Sequence, residues 1–143
     1  MRKNSFTPQI QSIIIDAEKA ALSMHRHCLD IDLFFDSFLD SLSISCVTLL
    51  EKYDLKQKLY SASDSVIASK KRNKTASSKH NKDLEKFFSN CIESAREMFD
   101  LDYVPPEIVF LNFLDVDYAP KAIRSVILSD KELLDSIITD ITF

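Results

Sequence analysis

The sequence predicts an all-α domain of eight helices, arranged as two pseudo-symmetric four-helix repeats. Apolar residues recur at helical spacing along most of the 143 residues, and no convincing alternating strand pattern competes with them. The apolar pattern of residues 10–39 returns at residues 84–114, a separation of about 74 residues that is too long for one unit of a solenoid. Glycine is absent, which disfavours β-hairpins because their tight turns rely on it. We therefore expect a single duplicated domain over residues 1–143.

Two apolar stripes carry the duplication. In the first helix of each half the matching positions are Ile10 with Leu84, Ile13 with Phe87, Ile14 with Phe88, Ala17 with Cys91, Ala21 with Ala95 and Met24 with Met98. After a one-residue slip the second stripes match as Leu29 with Val104, Asp32 with Glu107, Phe34 with Val109, Phe35 with Phe110, Phe38 with Phe113 and Leu39 with Leu114. The phenylalanines are expected to form a core that both repeats share.

The first repeat spans about residues 6–67. Thr7 is expected to cap the first helix and Pro8 to occupy its first turn, where a missing N–H does no harm. The stripe of this helix is interrupted at residues 28–32. Three further helices are expected at residues 33–42, around residues 47–53 and at residues 56–67.

Residues 68–81 contain no large apolar residue and are predicted to be a mobile basic linker. The second repeat then spans residues 82–141. Asn81 is expected to cap a helix over residues 82–99, and Pro105-Pro106 opens the next helix because proline is tolerated in a first turn. A short helix starts at Pro120, and Ser129 with Glu132 fits a capping box for the last helix.

Composition excludes several classes of function. The net charge of −4 gives no reason to expect nucleic-acid binding, and no segment approaches the length of apolar chain that spans a bilayer. Cys28, Cys46 and Cys91 form no C-x-x-C pair, and no signal sequence follows the first Met, so a reduced, cytoplasmic protein is expected. Without glycine there is no P-loop, dinucleotide fingerprint or nucleophile elbow.

No catalytic constellation is visible, so no enzyme and no cofactor are expected. His25, His27 and Cys28 are close in sequence, but no second cluster completes a tetrahedral metal site, and solvated side chains are the favoured reading. Cys91 is expected to be a small core residue. The basic side chains of the linker lack interleaved aromatics, which favours a solvated loop over a nucleic-acid contact: Lys70, Lys71, Arg72, Lys74 and Lys79.

A pattern of residues in the first half points to a known family, and it recurs in the second half. In the first half it consists of Phe6, Thr7, Ala17, Ala21, His27, Leu29, Asp32, Phe35 and Phe38. Taken with the linker position, this pattern resembles the amino-terminal domain of Clp-type AAA+ unfoldases. That domain is built from two four-helix repeats joined by a linker. The resemblance covers nearly the whole chain, from Phe6 to about Ile141.

The chain departs from the family where the second helix of each repeat opens. The family has glycine, a small residue, an acid and a histidine there, and this chain has Asp30-Ile31-Asp32-Leu33 and Pro105-Pro106-Glu107-Ile108. The acid is kept in both halves, while the glycine and the histidine are absent from both. The family's Gly-His at the end of the first helix is also replaced, by His25-Arg26 and by Phe99-Asp100. The chain therefore resembles a divergent member of this family.

In some members of the family the acid holds the guanidinium of a phosphoarginine tag, and the start of the repeat's first helix receives the phosphate. Carried over by position, the resemblance implies two sites, Thr7 with Asp32 and Asn81 with Glu107. A carboxylate pairs well with guanidinium, and free N–H groups at a helix start attract an anion. The structural alternative for both acids is that they complement the helix dipole.

The resemblance implies a non-catalytic domain that docks protein substrates or adaptors for a Clp-type AAA+ unfoldase or protease. The alternative is a free-standing accessory protein of the same fold that binds a Clp ATPase, a Clp protease core or another assembly, such as one helix of a contractile secretion sheath. An enzyme is disfavoured because glycine and catalytic pairs are missing. Neither nucleic acid nor a membrane is an expected partner.

Overall fold

The computed structural model describes residues 5–26, 29–72 and 79–141. These ranges contain eight α-helices and no strand, which confirms the all-α prediction. A single parallel bridge joins Phe6 to Val104. The helices are α1 (Pro8–Ser23), α2 (Ile31–Asp40), α3 (Ile44–Lys52), α4 (Lys56–Arg72), α5 (Lys79–Phe99), α6 (Pro106–Phe113), α7 (Lys121–Val126) and α8 (Lys131–Asp140).

Proline and short polar side chains set most helix starts. Thr7 is the N-cap of α1 as predicted, with Pro8 in the first turn, and Pro106 opens α6 in the same way. The Asp30 carboxylate caps α2 by accepting a hydrogen bond from the Leu33 N–H at 2.9 Å. These starts agree with the sequence because proline and cap residues act locally.

The predicted capping box at α8 is wrong by one residue. Asp130, and not Ser129, is the N-cap, and its carboxylate accepts from the Leu133 N–H at 3.1 Å. The Ser129 hydroxyl instead donates to the carbonyl of Ser125. A carboxylate at the cap also complements the helix dipole, which a serine hydroxyl does less well.

Helices α1, α3 and α5 end without glycine. His25, Asp54 and Asp100, which follow these helices, have positive φ angles of 58°, 54° and 53°. At the end of α1 the Arg26 N–H donates back to the Ala21 carbonyl at 3.0 Å, which closes a Schellman-type cap around His25. Residues other than glycine adopt this left-handed conformation at a cost, so the packing around these ends must offset it.

The predicted linker is too long at both ends. Helix α4 continues to Arg72, so residues 68–72 are helical, and α5 begins at Lys79, so residues 79–81 are helical as well. Asn81 therefore lies inside α5 and does not cap it. Between the two helices, residues 73–78 lie outside the described part of the chain, as do His27 and Cys28.

An aromatic core joins the two halves of the sequence, as expected. The Phe113 ring on α6 is at its centre and contacts rings of both halves, with centroids 5.7 Å from Phe34, 5.0 Å from Phe35, 5.1 Å from Phe38 and 4.9 Å from Phe87. Phe38 also stacks on Phe110 at 6.5 Å. All of these side chains are buried, and aromatic pairs of this kind contribute about 0.5–1.5 kcal/mol each beyond their burial.

The two stripes of the first helices are buried almost position for position. The first five residues of the α1 stripe and their five counterparts on α5, including Cys91, are all at most 3% exposed. Met98 is the exception, because it is 65% exposed while Met24 packs partly against the core. Contacts also cross between the halves, with α4 on α7, α3 on α6 and α2 on α5.

None of the helices in the described residues combines the length and the apolar composition that a bilayer span needs. Among these helices, α2 and α3 together have the length and apolar composition of a membrane span, but a bend of 95° lies between them. The apolar residues of α2, among them Phe34, Phe35 and Phe38, are buried in the core.

Candidate functional site

Asp32 is buried, and both of its carboxylate oxygens are engaged. Oδ1 accepts a hydrogen bond from the Lys121 N–H at 2.9 Å, at the start of α7. Oδ2 lies 3.2 Å from the Lys70 ammonium. Only 6% of the Asp32 side chain is exposed. Its oxygens are thus already taken by the protein's own donors, so this carboxylate holds α2 against α4 and α7.

Lys70 is the centre of a buried ionic cluster. Its ammonium also lies 2.9 Å from Asp30 Oδ2, and its side chain is only 9% exposed. The Arg26 guanidinium completes the cluster, 3.9 Å from Asp30 Oδ2 and hydrogen-bonded to the Lys70 carbonyl. The expectation of a solvated Lys70 is therefore wrong. Two carboxylates and two cations balance within this buried volume, as buried charges require.

The sequence does contain a signal for Lys70. Leu59 and Ser63 are buried on α4, Ile67 packs against the core, and Lys70 follows at the next helical step. The apolar stripe does not by itself reveal this, because residues 68–72 at the end of α4 include no large apolar residue. A long lysine stem can continue an apolar face while its ammonium finds buried carboxylates.

Thr7 lies beside the segment that leads into α6. Its N–H donates to the Val104 carbonyl at 3.2 Å, and the Val104 N–H donates to the Ser5 carbonyl at 2.6 Å. The Thr7 hydroxyl makes no cap bond, and its oxygen is buried without a hydrogen-bond partner. Thr7 is therefore bonded to Val104, three residues before Glu107. Asp32, its predicted partner, bonds instead to Lys70 of α4 and Lys121 of α7.

Glu107 lies in the first turn of α6 and lines a pocket of about 350 Å³. The walls come from α3, α6 and the end of α8, with Cys46, Phe110 and Asp140 among them. The Glu107 Oε2 atom is buried and has no hydrogen-bond partner. Together with the Thr7 hydroxyl, it forms the pair of buried, unpartnered side-chain polar atoms found in the described chain.

On the α8 side of this pocket, residues of α3 and α8 are bonded to each other. Lys52 Nζ lies 2.7 Å from Asp140 Oδ2, and the Tyr53 hydroxyl donates to the same oxygen. The hydrogen bond from Lys52 lowers the pKa of the Asp140 carboxyl most, and the hydrogen bond from Tyr53 lowers it further. Lys52 and Asp140 thus compensate one another, and Glu107 is the remaining charged side chain among the residues that line the pocket.

Cys46, on the pocket wall, is a poor nucleophile. Burial raises the pKa of its thiol to about 11; a hydrogen bond with Ser43 opposes the rise and the negative charge of Glu107 adds to it. Burial also raises the pKa of Cys91. Both thiols stay protonated at neutral pH, and the thiolate is the reactive form. The pocket is therefore suited to non-covalent binding.

Asn81, the fourth predicted site residue, lies in the first turn of α5, and its side chain is outside the described part of the chain. Of the first predicted pair, Thr7 lies beside the α6 segment that carries Glu107, and the Asp32 oxygens are occupied by donors of α4 and α7. The second predicted pair, Asn81 with Glu107, stays a prediction. Within the described ranges, no group of three or more His, Cys, Asp or Glu side chains is arranged to hold a metal ion.

Comparisons of this chain with protein-family models, with curated proteins and with solved structures found no match.

Proposed function

We propose that this chain is a protein-recognition domain that docks substrates or adaptors for a Clp-type AAA+ unfoldase, and that its Glu107 pocket receives a basic side chain of the docked protein. Two observations on one residue carry the proposal: Glu107 lines a pocket, and its buried Oε2 atom has no hydrogen-bond partner. A buried polar atom without a partner costs about 1–3 kcal/mol. A ligand that donates a hydrogen bond there recovers that cost.

Arginine is the side chain that suits this carboxylate best. A guanidinium presents five N–H donors in a fixed fork and can pair with both oxygens of a carboxylate. The neighbouring Lys52 is already bound to Asp140, so it does not neutralise Glu107. Binding would be weak, reversible and non-covalent, as a docking domain requires when it hands clients on.

Phosphoarginine is the form of arginine that some members of the resembled family bind. We assign its guanidinium to Glu107 and place its phosphate near Thr7, because each of these residues has an unpartnered buried oxygen and the Thr7 N–H bonds to the Val104 carbonyl. Asp32 is left out of this site, since Lys70 and Lys121 occupy its oxygens. One site per domain follows, instead of the two that the duplication implies.

The proposed architecture is a pair of pseudo-symmetric four-helix repeats. Supporting it, ten matched stripe positions on α1 and α5 are buried. His25 after α1 and Asp100 after α5 also share a positive φ, in the region where the family has glycine. The shared aromatic core around Phe113 would lie between the repeats.

A free-standing accessory protein of the same fold is the second candidate, with a Clp protease core or another assembly as its partner. The occupied Asp32 favours it, because a member that has lost one of two tag sites has changed what it binds. The mass of the native polypeptide distinguishes the candidates. A chain long enough to include an ATPase ring supports the docking domain, and a chain of this size supports the accessory protein.

The pocket is tested with two labelled peptides that differ only at one central residue, arginine or the uncharged isostere citrulline. We expect Glu107→Gln to weaken binding of the arginine peptide at least about tenfold, the lower bound for losing a charged hydrogen bond. Glu132→Gln is the matched control, since Glu132 is an exposed acid in the first turn of α8. Equal affinity for both peptides, or an unaffected Glu107→Gln variant, would contradict the proposal.

A further inference from the structure

A second groove, of about 410 Å³, lies between α5, α6 and α8. Its apolar surface comes from Met98 on α5, Leu111 and Leu114 at the end of α6, and Ile138 on α8. Met98 is 65% exposed and Ile138 is 41% exposed. The groove is separate from the Glu107 pocket, and the two share no lining residue.

The α5 wall of this groove is one continuous helix face. It presents Asn90, Glu93, Ser94, Glu97 and Met98, which form two adjacent rows at three- and four-residue spacing, 90-94-98 and 90-93-97. From the first to the last of these residues the helix rises about 12 Å, which is slightly more than two helical turns. A partner that lies along this face therefore needs about two turns of helix.

Buried hydrogen bonds make the groove rigid. Asn112 of α6 is 4% exposed, and its Oδ1 accepts from Asn90 Nδ2 at 2.5 Å. Its Nδ2 donates to the Ile108 carbonyl at 2.9 Å. The bond from Asn90 joins α5 to α6 at the base of the groove, and the bond to Ile108, within α6, fixes the orientation of the Asn112 amide. A preformed surface binds with a smaller loss of conformational entropy.

The charge of the groove selects the kind of partner. Three of its lining side chains are carboxylates, Glu93, Glu97 and Asp115, and no lining residue is lysine or arginine. Glu93 and Glu97 are exposed on the same face of α5 as Met98. An anionic lipid surface or a nucleic acid would be repelled, whereas lysine and arginine beside an apolar stripe would be attracted.

We propose that this groove binds a basic amphipathic helix of a partner protein. Two turns of that helix would place apolar side chains on Met98, Leu111 and Ile138, and flanking lysine or arginine side chains beside Glu93 and Glu97. Helix-in-groove recognition of this kind reads apolar anchors at i, i+3, i+4 and i+7. The inference goes beyond the proposed function, because it does not depend on Glu107.

The test uses two synthetic 14-residue peptides with the same leucine stripe, one with lysine and one with glutamate at the flanking positions. Binding to the full chain is followed by fluorescence anisotropy and by amide shifts. We expect the lysine peptide to bind, with shifts at Met98, Leu111 and Ile138, and the glutamate peptide to bind at least about tenfold more weakly. Affinity for the lysine peptide should fall as salt is raised.

Variants locate the binding on the groove. The double variant Glu93→Gln, Glu97→Gln should bind the lysine peptide roughly two- to thirtyfold more weakly, as expected for two exposed ion pairs. Met98→Asp should abolish the Leu111 and Ile138 shifts, while Leu22→Asp, a change at a 69% exposed residue of α1, should not. Glu107→Gln should leave this binding intact. Equal binding of both peptides, or full binding by the Met98→Asp variant, would overturn the proposal.

Discussion

At the scale of single residues, the cluster of Arg26, Asp30, Asp32 and Lys70 determines how α2, α4 and α7 meet. Each of the four side chains is at most 9% exposed. Arg26 cannot replace Lys70 in this cluster. The Lys70 ammonium is close to both carboxylates, whereas the Arg26 guanidinium is 3.9 Å from Asp30 Oδ2. Removing one member of a buried ion pair leaves its partner charged and unpaired, which costs far more than the pair contributes.

Lys70→Met should lower the free energy of unfolding by about 3 kcal/mol, because two buried carboxylates lose their shared cation. Lys71→Met is the matched control, since Lys71 is the next residue of α4 and is exposed. Urea denaturation of both variants measures the difference. Similar, small losses in the two variants would show that Lys70 is solvated after all.

His25→Gly should raise the free energy of unfolding by about 1 kcal/mol, because His25 is held at a φ of 58° that only glycine adopts without strain. Lys19→Gly should lower it by a similar amount, since Lys19 is exposed within α1 and glycine is unfavourable inside a helix. Thermal unfolding of the two variants provides the test. A loss of stability in both would mean that the His25 side chain contributes more than its backbone conformation costs.

At the scale of elements, α2 carries one carboxylate that opposes its stability. Asp30 and Asp32 lie at its start, where negative charge complements the helix dipole, whereas Asp40 is its last residue. Burial, followed by the charges of Asp36 and Asp64, raises the pKa of Asp40 above its ordinary value of 3.8. A raised pKa of an acid means that the folded state disfavours its charged form. Ionised Asp40 thus lowers the stability of the domain near neutral pH.

Asp40→Asn should therefore raise the free energy of unfolding at pH 7 by a few tenths of a kcal/mol, the scale of a like-charge pair on a helix. The gain should shrink as the pH falls through the pKa of Asp40 in the folded state. It should be gone at about pH 3, where Asp40 is protonated in both states. Chemical denaturation at the two pH values measures it, with Asp16→Asn of α1 as the control. A gain that persists at low pH would exclude the charge as its cause.

The helix boundaries show which signals in the sequence are local. Pro8 and Pro106 mark helix starts correctly, because proline restricts the backbone wherever it occurs. The end of α4 was placed five residues too early, since residues 68–72 are stabilised by tertiary contacts of Lys70 that composition does not reveal. Asn81 does not cap α5, because that helix begins two residues earlier, at Lys79.

At the scale of the whole molecule, one aromatic core holds elements from both halves together. The Phe113 ring contacts Phe34, Phe35 and Phe38 of α2 as well as Phe87 of α5, so neither half has a core of its own at this point. The apolar stripes predicted this core well, because burial follows helical periodicity. The two halves are therefore expected to unfold in a single cooperative transition.

The candidate site was predictable only in part. Glu107 can be predicted from the sequence, because it has the position of the family's acid in the second repeat. The pocket that it lines is formed by the packing of α3, α6 and α8, which the neighbouring sequence does not indicate. Asp32 has the same position in the other half, yet Lys70 from α4 and the Lys121 N–H from α7 take its oxygens. The repeat in the sequence does not show whether a carboxylate is open or occupied, because the donors that occupy Asp32 come from residues far from it in the sequence.

The central claim, that Glu107 and not Asp32 is the open carboxylate site for arginine, is tested most directly by titrating the full chain with free phosphoarginine and following its backbone amide signals. We predict shifts confined to Thr7, Cys46 and Glu107, with Asp32 unmoved, and their loss in the Glu107→Gln variant. Shifts centred on Asp32, or no shifts at Glu107 at any concentration of phosphoarginine, would contradict the claim.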